Sequence, residues 1–339
     1  MLLVKSPLRI SFVGGGTDLP AFYRQERGAV ISSTIDKFVY VAIHPTPMTR
    51  RFVIKHRSIE SADAIDATDA TEHPYLRAAL QDVAVDAAGL DISVMSDLPG
   101  RTGLGGSSSF TVALLKGLNA LGGRSLSRHE LAEAACRLEI ERLGEPIGKQ
   151  DQYAAALGGL NVFHFNPDGT VTAEPVFLHF EQRARLEACS LLFYTGITRG
   201  AAEVLREQQQ KTGERMDVYR RMAAAVSPFR DALLAGDVRA MADMLHAAWA
   251  DKQQLGVSVS SPAIDELYEA ARRAGAWGGK LLGAGRGGCL YLLAPPELHA
   301  QIAAAIGGVA ARHQLGDFNR ADVRFVQSGA AIVFNDRRR

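Results

Sequence analysis

The segment that most constrains this chain is residues 99–109, which reads Pro-Gly-Arg-Thr-Gly-Leu-Gly-Gly-Ser-Ser-Ser. Before it, Leu90, Ile92 and Val94 alternate with polar residues and predict a strand. After it, residues 110–121 carry apolar side chains at helical spacing. A strand that passes through glycines into a helix presents free N–H groups and the positive end of the helix dipole. We therefore predict an anion site with phosphate as the anion; the alternative is a connector that only caps the helix.

The composition of this segment supports phosphate binding. Glycine lets the backbone approach phosphate oxygens closely, and one of the three serines can offer a hydroxyl to phosphate or to a magnesium ion. No GKS or GKT follows, so the segment is not a Walker A loop, and it is not a GxGxxG dinucleotide fingerprint. The candidate phosphate-binding residues are Pro99, Gly103, Leu104, Gly105, Gly106, Ser107, Ser108 and Ser109.

Length and charge narrow the function classes. A chain of 339 residues exceeds the size at which one core stops growing, so we expect two domains. Charged residues make up 22% of the chain and the net charge is +1, which argues against a nucleic-acid or membrane partner attracted by bulk charge.

No run approaches the roughly 20 apolar residues of a membrane span, and we see no signal peptide. Three separated cysteines form neither a disulfide framework nor a metal motif, so a reducing cytoplasm fits best.

A second glycine-rich loop follows the first predicted strand. Residues 14–16 are three glycines, and Thr17 and Asp18 come next. The Asp18 carboxylate can accept hydrogen bonds from the hydroxyls of a sugar or alcohol, although an aspartate in an ordinary turn is equally compatible with the pattern. Arg9 lies on the strand between apolar neighbours, so it either pairs with a carboxylate or faces a site.

Two further acidic positions follow the phosphate-loop helix. A helix is predicted over residues 127–143, with a capping box at Ser127 and Glu130. Glu139 and Glu141 approach its end, where a carboxylate opposes the helix dipole; this favours a role other than stability, and a solvated glutamate is the alternative. The turn after it opens a short helix with Lys149 and Asp151 in its first turn, where Asp also simply stabilises a helix start.

The predicted secondary structure changes near residue 186, and helices dominate from there to about residue 275. We therefore expect an N-terminal domain over 1–185 and a C-terminal domain over 186–339. The last informative segment, residues 280–289, reads Lys-Leu-Leu-Gly-Ala-Gly-Arg-Gly-Gly-Cys and runs into a buried strand. Its glycines allow close approach of the backbone to a substrate or to the first loop.

These three motifs, in this order, resemble the GHMP small-molecule kinases, and the resemblance covers nearly the whole chain. It implies a two-domain α+β fold: a nucleotide domain like one domain of a small-subunit ribosomal protein, and a ferredoxin-like α/β domain. It implies ATP and Mg²⁺ as cofactors. Gly106 stands where the family commonly has its first serine, so the magnesium-side hydroxyl is assigned to Ser107, with Ser108 as the alternative.

The resemblance also implies roles for individual residues. Glu139 matches the acidic metal ligand, with Glu141 as the fallback, and Asp151 matches the catalytic aspartate. Arg9 matches the basic residue beside that aspartate, and Lys149 is a second basic candidate there. The substrate-binding candidates are Gly15, Gly16, Thr17, Asp18, Arg199, Gly285 and Arg286.

Within the superfamily the chain looks most like the D-glycero-D-manno-heptose 7-phosphate kinases, which form heptose 1,7-bisphosphate for bacterial surface polysaccharides. A phosphorylated sugar needs cations at its far end, and Lys149 and Arg199 are preferred over Arg142 and Arg286. The expected partner is thus a small sugar phosphate, and a homodimer stays open. The alternatives are a kinase of a free sugar such as fucose, galactose or an N-acetylhexosamine, and a sugar- and nucleotide-binding sensor without catalysis.

Overall fold

The computed structural model describes residues 1–46, 48, 51–56, 58–63, 73–83, 89–197, 201–256 and 258–336. Its strands are β1 (Leu2–Val13), β2 (Gly28–Pro45), β3 (Arg51–His56), β4 (Ser58–Asp63), β5 (Leu90–Ser96), β6 (Leu160–Phe165), β7 (Val171–Pro175), β8 (Ser190–Tyr194), β9 (Gly278–Leu281), β10 (Cys289–Leu293), β11 (Asn319–Ala321) and β12 (Ala331–Asn335).

The α-helices, within the same described ranges, are α1 (Pro20–Tyr23), α2 (Pro74–Val83), α3 (Gly106–Leu121), α4 (Arg128–Cys136), α5 (Gln150–Leu157), α6 (Phe180–Cys189), α7 (Ala201–Gln210), α8 (Met216–Ala224), α9 (Val226–Ala235), α10 (Val238–Gln253), α11 (Pro262–Arg273) and α12 (His299–Arg312). A π-helical turn, Arg137–Arg142, continues α4. No helix in the described part of the chain is both long and apolar enough to cross a membrane.

The first sheet is built around β1 and β2. Its strand order is β12-β1-β2-β5-β3-β4, and β6 pairs with β2 and with β7. Apolar residues over 29–33 and 38–43 predict two separate strands, but the structure has one continuous strand, β2, across both ranges. Its first part pairs with β6 and its last part with β5, so one long strand serves two neighbours.

Helix α3 packs on this sheet, and the predicted phosphate-binding segment, residues 99–109, leads into its start. Val112, Leu114 and Leu118 are fully buried, as the helical spacing predicted. A Cβ at Gly117 would lie 2.6 Å from Ile43 Cδ1, so glycine allows the helix to approach β2 closely. The strand–loop–helix arrangement predicted around residues 99–109 is therefore confirmed as β5, loop and α3.

The second sheet has the strand order β11-β8-β10-β9. In chain order this is 4-1-3-2 with antiparallel neighbours, the ferredoxin-like pattern that the family resemblance predicted. The last strand, β12, returns to the first sheet and pairs with β1, although it lies in the range expected for the C-terminal domain. The boundary at residue 186 stays a prediction. The sequence also predicts a strand over 323–326, and this prediction is wrong, because the structure has an isolated bridge there, between Phe325 and Ile35.

Candidate active site

A charged pair joins the first strand to the start of α5. The side chain of Arg9 on β1 is 4% exposed, and that of Asp151 in the first turn of α5 is 24% exposed. Arg9 Nε donates to Asp151 Oδ1 and Arg9 Nη2 donates to Asp151 Oδ2, both at 2.7 Å. A two-point contact of this kind fixes the orientation of both groups. Of the two outcomes that the sequence allowed for Arg9, the structure has the carboxylate pairing.

The loop before α3 lies directly against this pair. Arg9 Nη1 donates to Gly103 O at 2.6 Å, and the Arg9 backbone N–H donates to Leu104 O at 3.0 Å. Gly105 precedes α3 with a φ of +76°, and a Cβ there would lie 3.3 Å from Asp151 Oδ2. The left-handed backbone and the close carboxylate both favour glycine at this position. The start of α3, where an anion would meet free N–H groups, therefore faces the Asp151 carboxylate.

The other predicted phosphate-binding residues have different surroundings. Pro99 and Ser107 are exposed, whereas Leu104 is fully buried. The Ser109 hydroxyl donates to Pro7 O at 2.8 Å, so it ties α3 to β1. Gly106 is the first residue of α3.

Glu139 lies in the π-helical turn that continues α4, and it has no exposed surface. The Leu143 N–H donates to Leu138 O, five residues back, at 3.0 Å. π-helical turns are rare and are frequent at functional sites. Glu141, the fallback for the acidic ligand, is exposed. The buried carboxylate of this turn is thus Glu139.

Neutral donors surround the Glu139 carboxylate. Ser108 Oγ donates to Oε2 at 2.8 Å and Thr111 Oγ1 donates to Oε1 at 2.8 Å. Gln152 Nε2, from α5, donates to Oε2 at 2.5 Å. Burial raises the pKa of Glu139 to about 7, although these hydrogen bonds oppose the increase. Within the described ranges no cationic side chain pairs with Glu139, and a buried carboxylate of this kind is a suitable ligand for a metal ion.

The two serines proposed for the metal side differ in position. Ser108 contacts Glu139, whereas the Ser107 hydroxyl lies 3.3 Å from Tyr75 Oη on α2. The structure therefore brings the alternative, Ser108, next to the predicted acidic ligand, and it does not do so for the preferred Ser107.

Asp18 lies at the same end of α5 as Asp151. It is 5% exposed and accepts hydrogen bonds from the backbone N–H of Gly16 at 2.9 Å and of Gln150 at 3.3 Å. A Cβ at Gly148 would lie 2.0 Å from Asp18 Oδ2, so only glycine fits there. Burial raises the pKa of the Asp18 carboxyl, and the charge of Asp151 raises it further.

The rest of the triple-glycine loop supports Asp18 structurally. Thr17 is fully buried, and its Oγ1 lies 2.8 Å from Ala29 O and accepts the Ala29 N–H at 3.0 Å. Gly16 has a φ of +104°, and a Cβ there would lie 3.2 Å from the ring of Tyr219 on α8. Gly15 and Gly16 thus form part of the turn after β1, and Gly16 lies against α8.

Lys149 directs its ammonium away from the Arg9–Asp151 contact. Lys149 Nζ donates to Gly169 O at 2.7 Å, in the turn between β6 and β7, and lies 3.5 Å from Glu133 Oε2 on α4. Arg9 is therefore the cation that contacts Asp151. Arg142, a further basic candidate, pairs with Asp82 of α2.

The glycine-rich loop within residues 280–289 packs against the predicted phosphate-binding loop within residues 99–109. A Cβ at Gly283 would lie 2.4 Å from Gly103 Cα, and one at Gly288 would lie 2.5 Å from Thr102 O. The Cys289 N–H donates to Thr102 O at 2.8 Å. The backbone of this loop therefore approaches residues 102–103 closely, and the contact joins the second sheet to the loop before α3.

The remaining substrate candidates of this region are placed as follows. A Cβ at Gly285, whose φ is +125°, would lie 2.5 Å from Val259 O. The Arg286 N–H donates to the same carbonyl at 2.8 Å, and Arg286 itself has a φ of +61°. Arg199 lies outside the described residues.

Sequence reasoning did not single out two residues of this site, Thr111 and Gln152. Thr111 follows Ser108 by three residues, which places both hydroxyls on one face of α3. Gln152 follows Asp151 directly, so α5 presents Asp151 to Arg9 and the next side chain to Glu139. The spacing of Thr111 was a usable signal, whereas the contact of Gln152 depends on how two helices pack.

The geometry defines a class of chemistry. A helix start suited to phosphate, an oriented carboxylate beside it and a second buried carboxylate lined by hydroxyls are the components of a phosphoryl-transfer site.

Comparison with known proteins agrees with this class. The family model of the GHMP kinase N-terminal domain matches residues 71–159, and that of the GHMP kinase C-terminal domain matches residues 229–308. A mevalonate kinase from Thermococcus onnurineus is 30% identical over 68% of this chain and 69% of its own length. The chain belongs to the GHMP kinase family.

Heptose kinases are among the relatives. The D-glycero-alpha-D-manno-heptose 7-phosphate kinase of Campylobacter jejuni is 28% identical over 86% of this chain and 89% of its own length. A crystal structure of a D-glycero-D-manno-heptose 1-phosphate kinase from Bacteroides thetaiotaomicron has a TM-score of 0.78 with 24% identity, over 97% of this chain and 98% of that one. This structural likeness shows the fold.

Proposed function

We propose that the protein transfers the γ-phosphoryl group of ATP to the C1 hydroxyl of D-glycero-D-manno-heptose 7-phosphate and forms heptose 1,7-bisphosphate. The observation that carries the proposal is the position of Asp151. Its carboxylate is oriented by Arg9 and lies against Gly105 at the start of α3. A hydroxyl bound to Asp151 would thus face a phosphate bound at the helix start.

The proposed mechanism relies on alignment and charge neutralisation. Phosphoryl transfer leaves little covalent chemistry to the protein. Asp151 orients the anomeric hydroxyl and accepts its proton, and Arg9 stabilises the charge at that position. The N–H groups of the loop and of the first turn of α3 hold the phosphates. Asp18, beside the start of α5, holds sugar hydroxyls.

The residues present fit a magnesium ion. Glu139 and Ser108 supply a carboxylate and a hydroxyl oxygen, the hard donors that Mg²⁺ prefers. Among the described residues no group of three or more His, Cys, Asp or Glu side chains could hold a metal ion; kinase sites use one or two carboxylates and take other ligands from phosphate. When bound with ATP, magnesium neutralises charge on the phosphate oxygens.

The 7-phosphate end of the substrate is assigned by resemblance. The name of the Campylobacter relative supports a heptose 7-phosphate, and Lys149 and Arg199 stay the predicted phosphate-binding cations. Lys149 already contacts Gly169 O and Glu133, so a sugar phosphate would have to compete with these partners. We place the reaction in the cytoplasm, in the synthesis of capsule or lipopolysaccharide heptose, and leave a homodimer open.

A coupled assay of ADP release with magnesium-ATP tests this function. The panel contains heptose 7-phosphate, mannose, fucose, galactose, an N-acetylhexosamine and mevalonate. We expect the highest kcat/KM on heptose 7-phosphate, and Lys149→Met should raise the KM for that substrate only. A higher kcat/KM on a free sugar would establish the alternative substrate class. ADP release on none of the substrates would favour the non-catalytic sensor.

A further inference from the structure

Two buried lysines beside the site have no role in the proposed mechanism. Lys252 lies on α10 and Lys280 on β9, and they are 6% and 4% exposed. Lysine is almost never this buried without an anionic partner, because removing an ammonium from water is costly. Their burial therefore needs a physical reason.

Backbone carbonyls are the partners of both ammonium groups. Lys280 Nζ donates to Phe12 O at 2.8 Å. Lys252 Nζ donates to Gly283 O and lies 3.5 Å from Leu281 O. In the part of the chain that the structure describes, neither lysine has a carboxylate within ion-pair distance.

Each lysine contacts a residue next to the proposed site. Lys252 binds Gly283, and Gly283 is the residue that packs on Gly103. Lys280 binds β1 at Phe12, three residues from Arg9. Lys252 therefore reaches the loop at residues 99–109 through one intervening residue, Gly283. Lys280 links β9 to β1, the strand that carries Arg9.

The charges around the pair are unbalanced. Among the described residues, the charges that act on this pair are cationic: Lys280 and Arg9 act on Lys252, and Arg9, which is itself paired with Asp151, acts on Lys280. Burial lowers the pKa of Lys280 to about 7, with a further lowering from Arg9. Burial and the charge of Lys280 lower the pKa of Lys252 well below its ordinary value. An anion at the phosphate loop would supply the missing negative charge.

We propose that Lys252 and Lys280 form a buried cation pair that takes up protons when the polyphosphate of a nucleotide binds at residues 103–109, and that this charging strengthens nucleotide binding. The proposal rests on the proposed kinase function. Both lysines are positioning residues, because they act through Gly283 and β1. A purely structural role would predict no proton exchange.

Titration calorimetry of magnesium-ADP binding, without sugar, tests the proposal. Measurements at about pH 8 in buffers of different ionisation enthalpy give the number of protons exchanged. At this pH the nucleotide phosphates and Glu139 are largely ionised, whereas a lysine with a pKa of about 7 is mostly neutral. We expect net proton uptake on binding.

The variants assign the protons. Lys280→Met and Lys252→Met should each reduce the uptake and weaken magnesium-ADP binding by about tenfold. Lys280→Arg, which is charged before and after binding, should restore affinity but not uptake. Lys5→Met is the control, because it removes a lysine of β1 that packs over the ring of Phe38. Circular dichroism checks that each variant folds, and Lys280→Arg keeps the test usable if a Met variant does not.

The outcomes separate this inference from the function. Magnesium-ADP binding without proton uptake by the unmodified protein would overturn the inference and leave the kinase proposal intact. Uptake that survives in both Met variants would also overturn it, since Asp18 or another group would then be the source. No binding of magnesium-ADP at all would contradict the kinase proposal itself.

Discussion

Arg9 Nε and Nη2 contact the two carboxylate oxygens of Asp151, each at 2.7 Å, although 142 positions separate the residues in sequence. The same guanidinium donates to Gly103 O at 2.6 Å. One side chain therefore orients the proposed catalytic carboxylate and holds the loop on which a phosphate would bind.

Asp151→Asn should lower kcat by about 10²- to 10⁴-fold, because an amide cannot accept the proton of the sugar hydroxyl. The KM for the sugar should change much less, since the amide still occupies the same space. Steady-state ADP release measures both. Asp243→Asn, which alters an exposed aspartate on α10, is the matched control and should keep full activity.

Glu139→Gln should make the metal-free protein more stable at alkaline pH. The pKa of Glu139 in the folded chain is about 7, above its ordinary 4.5. Its contribution to stability is therefore fully present below about pH 4.5 and is lost as pH rises through about 7. A neutral glutamine avoids this loss, which we put at about 1–3 kcal/mol in the free energy of unfolding at about pH 8.

Urea unfolding in a chelator at about pH 5 and pH 8 checks this prediction. Glu141→Gln, at the exposed neighbouring position, should leave the pH dependence unchanged. Equal pH dependence of the unmodified protein and Glu139→Gln would contradict a carboxyl group that folding keeps protonated.

Ser108→Ala and Ser107→Ala should differ in their effect on magnesium dependence. The Ser108 hydroxyl contacts Glu139, whereas the Ser107 hydroxyl contacts Tyr75. We expect Ser108→Ala to raise the magnesium concentration needed for half-maximal activity by about tenfold, the effect of losing one ligand or its orienting contact. Ser107→Ala should change it by less than about twofold. The reverse order would return the metal-side role to Ser107.

Gly283→Ala should weaken ATP binding by disturbing the contact between the two glycine-rich loops. Gly283 has a φ of +73°, and an added Cβ would lie 2.4 Å from Gly103 Cα. We expect a higher KM for ATP and a loss of about 1–3 kcal/mol in the free energy of unfolding. Gly307→Ala, in α12 with open space around it, should instead stabilise by up to about 1 kcal/mol. Equal effects of the two substitutions would argue against a specific contact.

Local pattern was sufficient for the elements around the phosphate loop. The alternation in β5 and the helical spacing in α3 are strong, and glycines and serines separate them. It was insufficient for β2, because two different neighbours pair with one strand and hide its continuity. The capping box at Ser127 is predicted and is present. The sequence pattern does not predict that this helix ends in a π-helical turn.

The candidate site depended on contacts between distant residues. The sequence singled out both Arg9 and Asp151, but it allowed Arg9 two environments, and the structure was needed to choose between them. The motif alone does not determine whether Ser107 or Ser108 lies next to Glu139, because this depends on which face of α3 packs against the π-helical turn. Lys252 lay inside an apolar helix pattern, and only the packing of α10 against the late loop explains its burial.

We propose that Asp151 directs phosphoryl transfer from ATP to the C1 hydroxyl of heptose 7-phosphate. Phosphorus-31 NMR of a reaction with magnesium-ATP and heptose 7-phosphate tests it most directly. We expect a new anomeric phosphate signal that grows with ADP and is absent with Asp151→Asn. An unchanged spectrum with the unmodified protein, or an equal rate of product formation with Asp151→Asn, would contradict it.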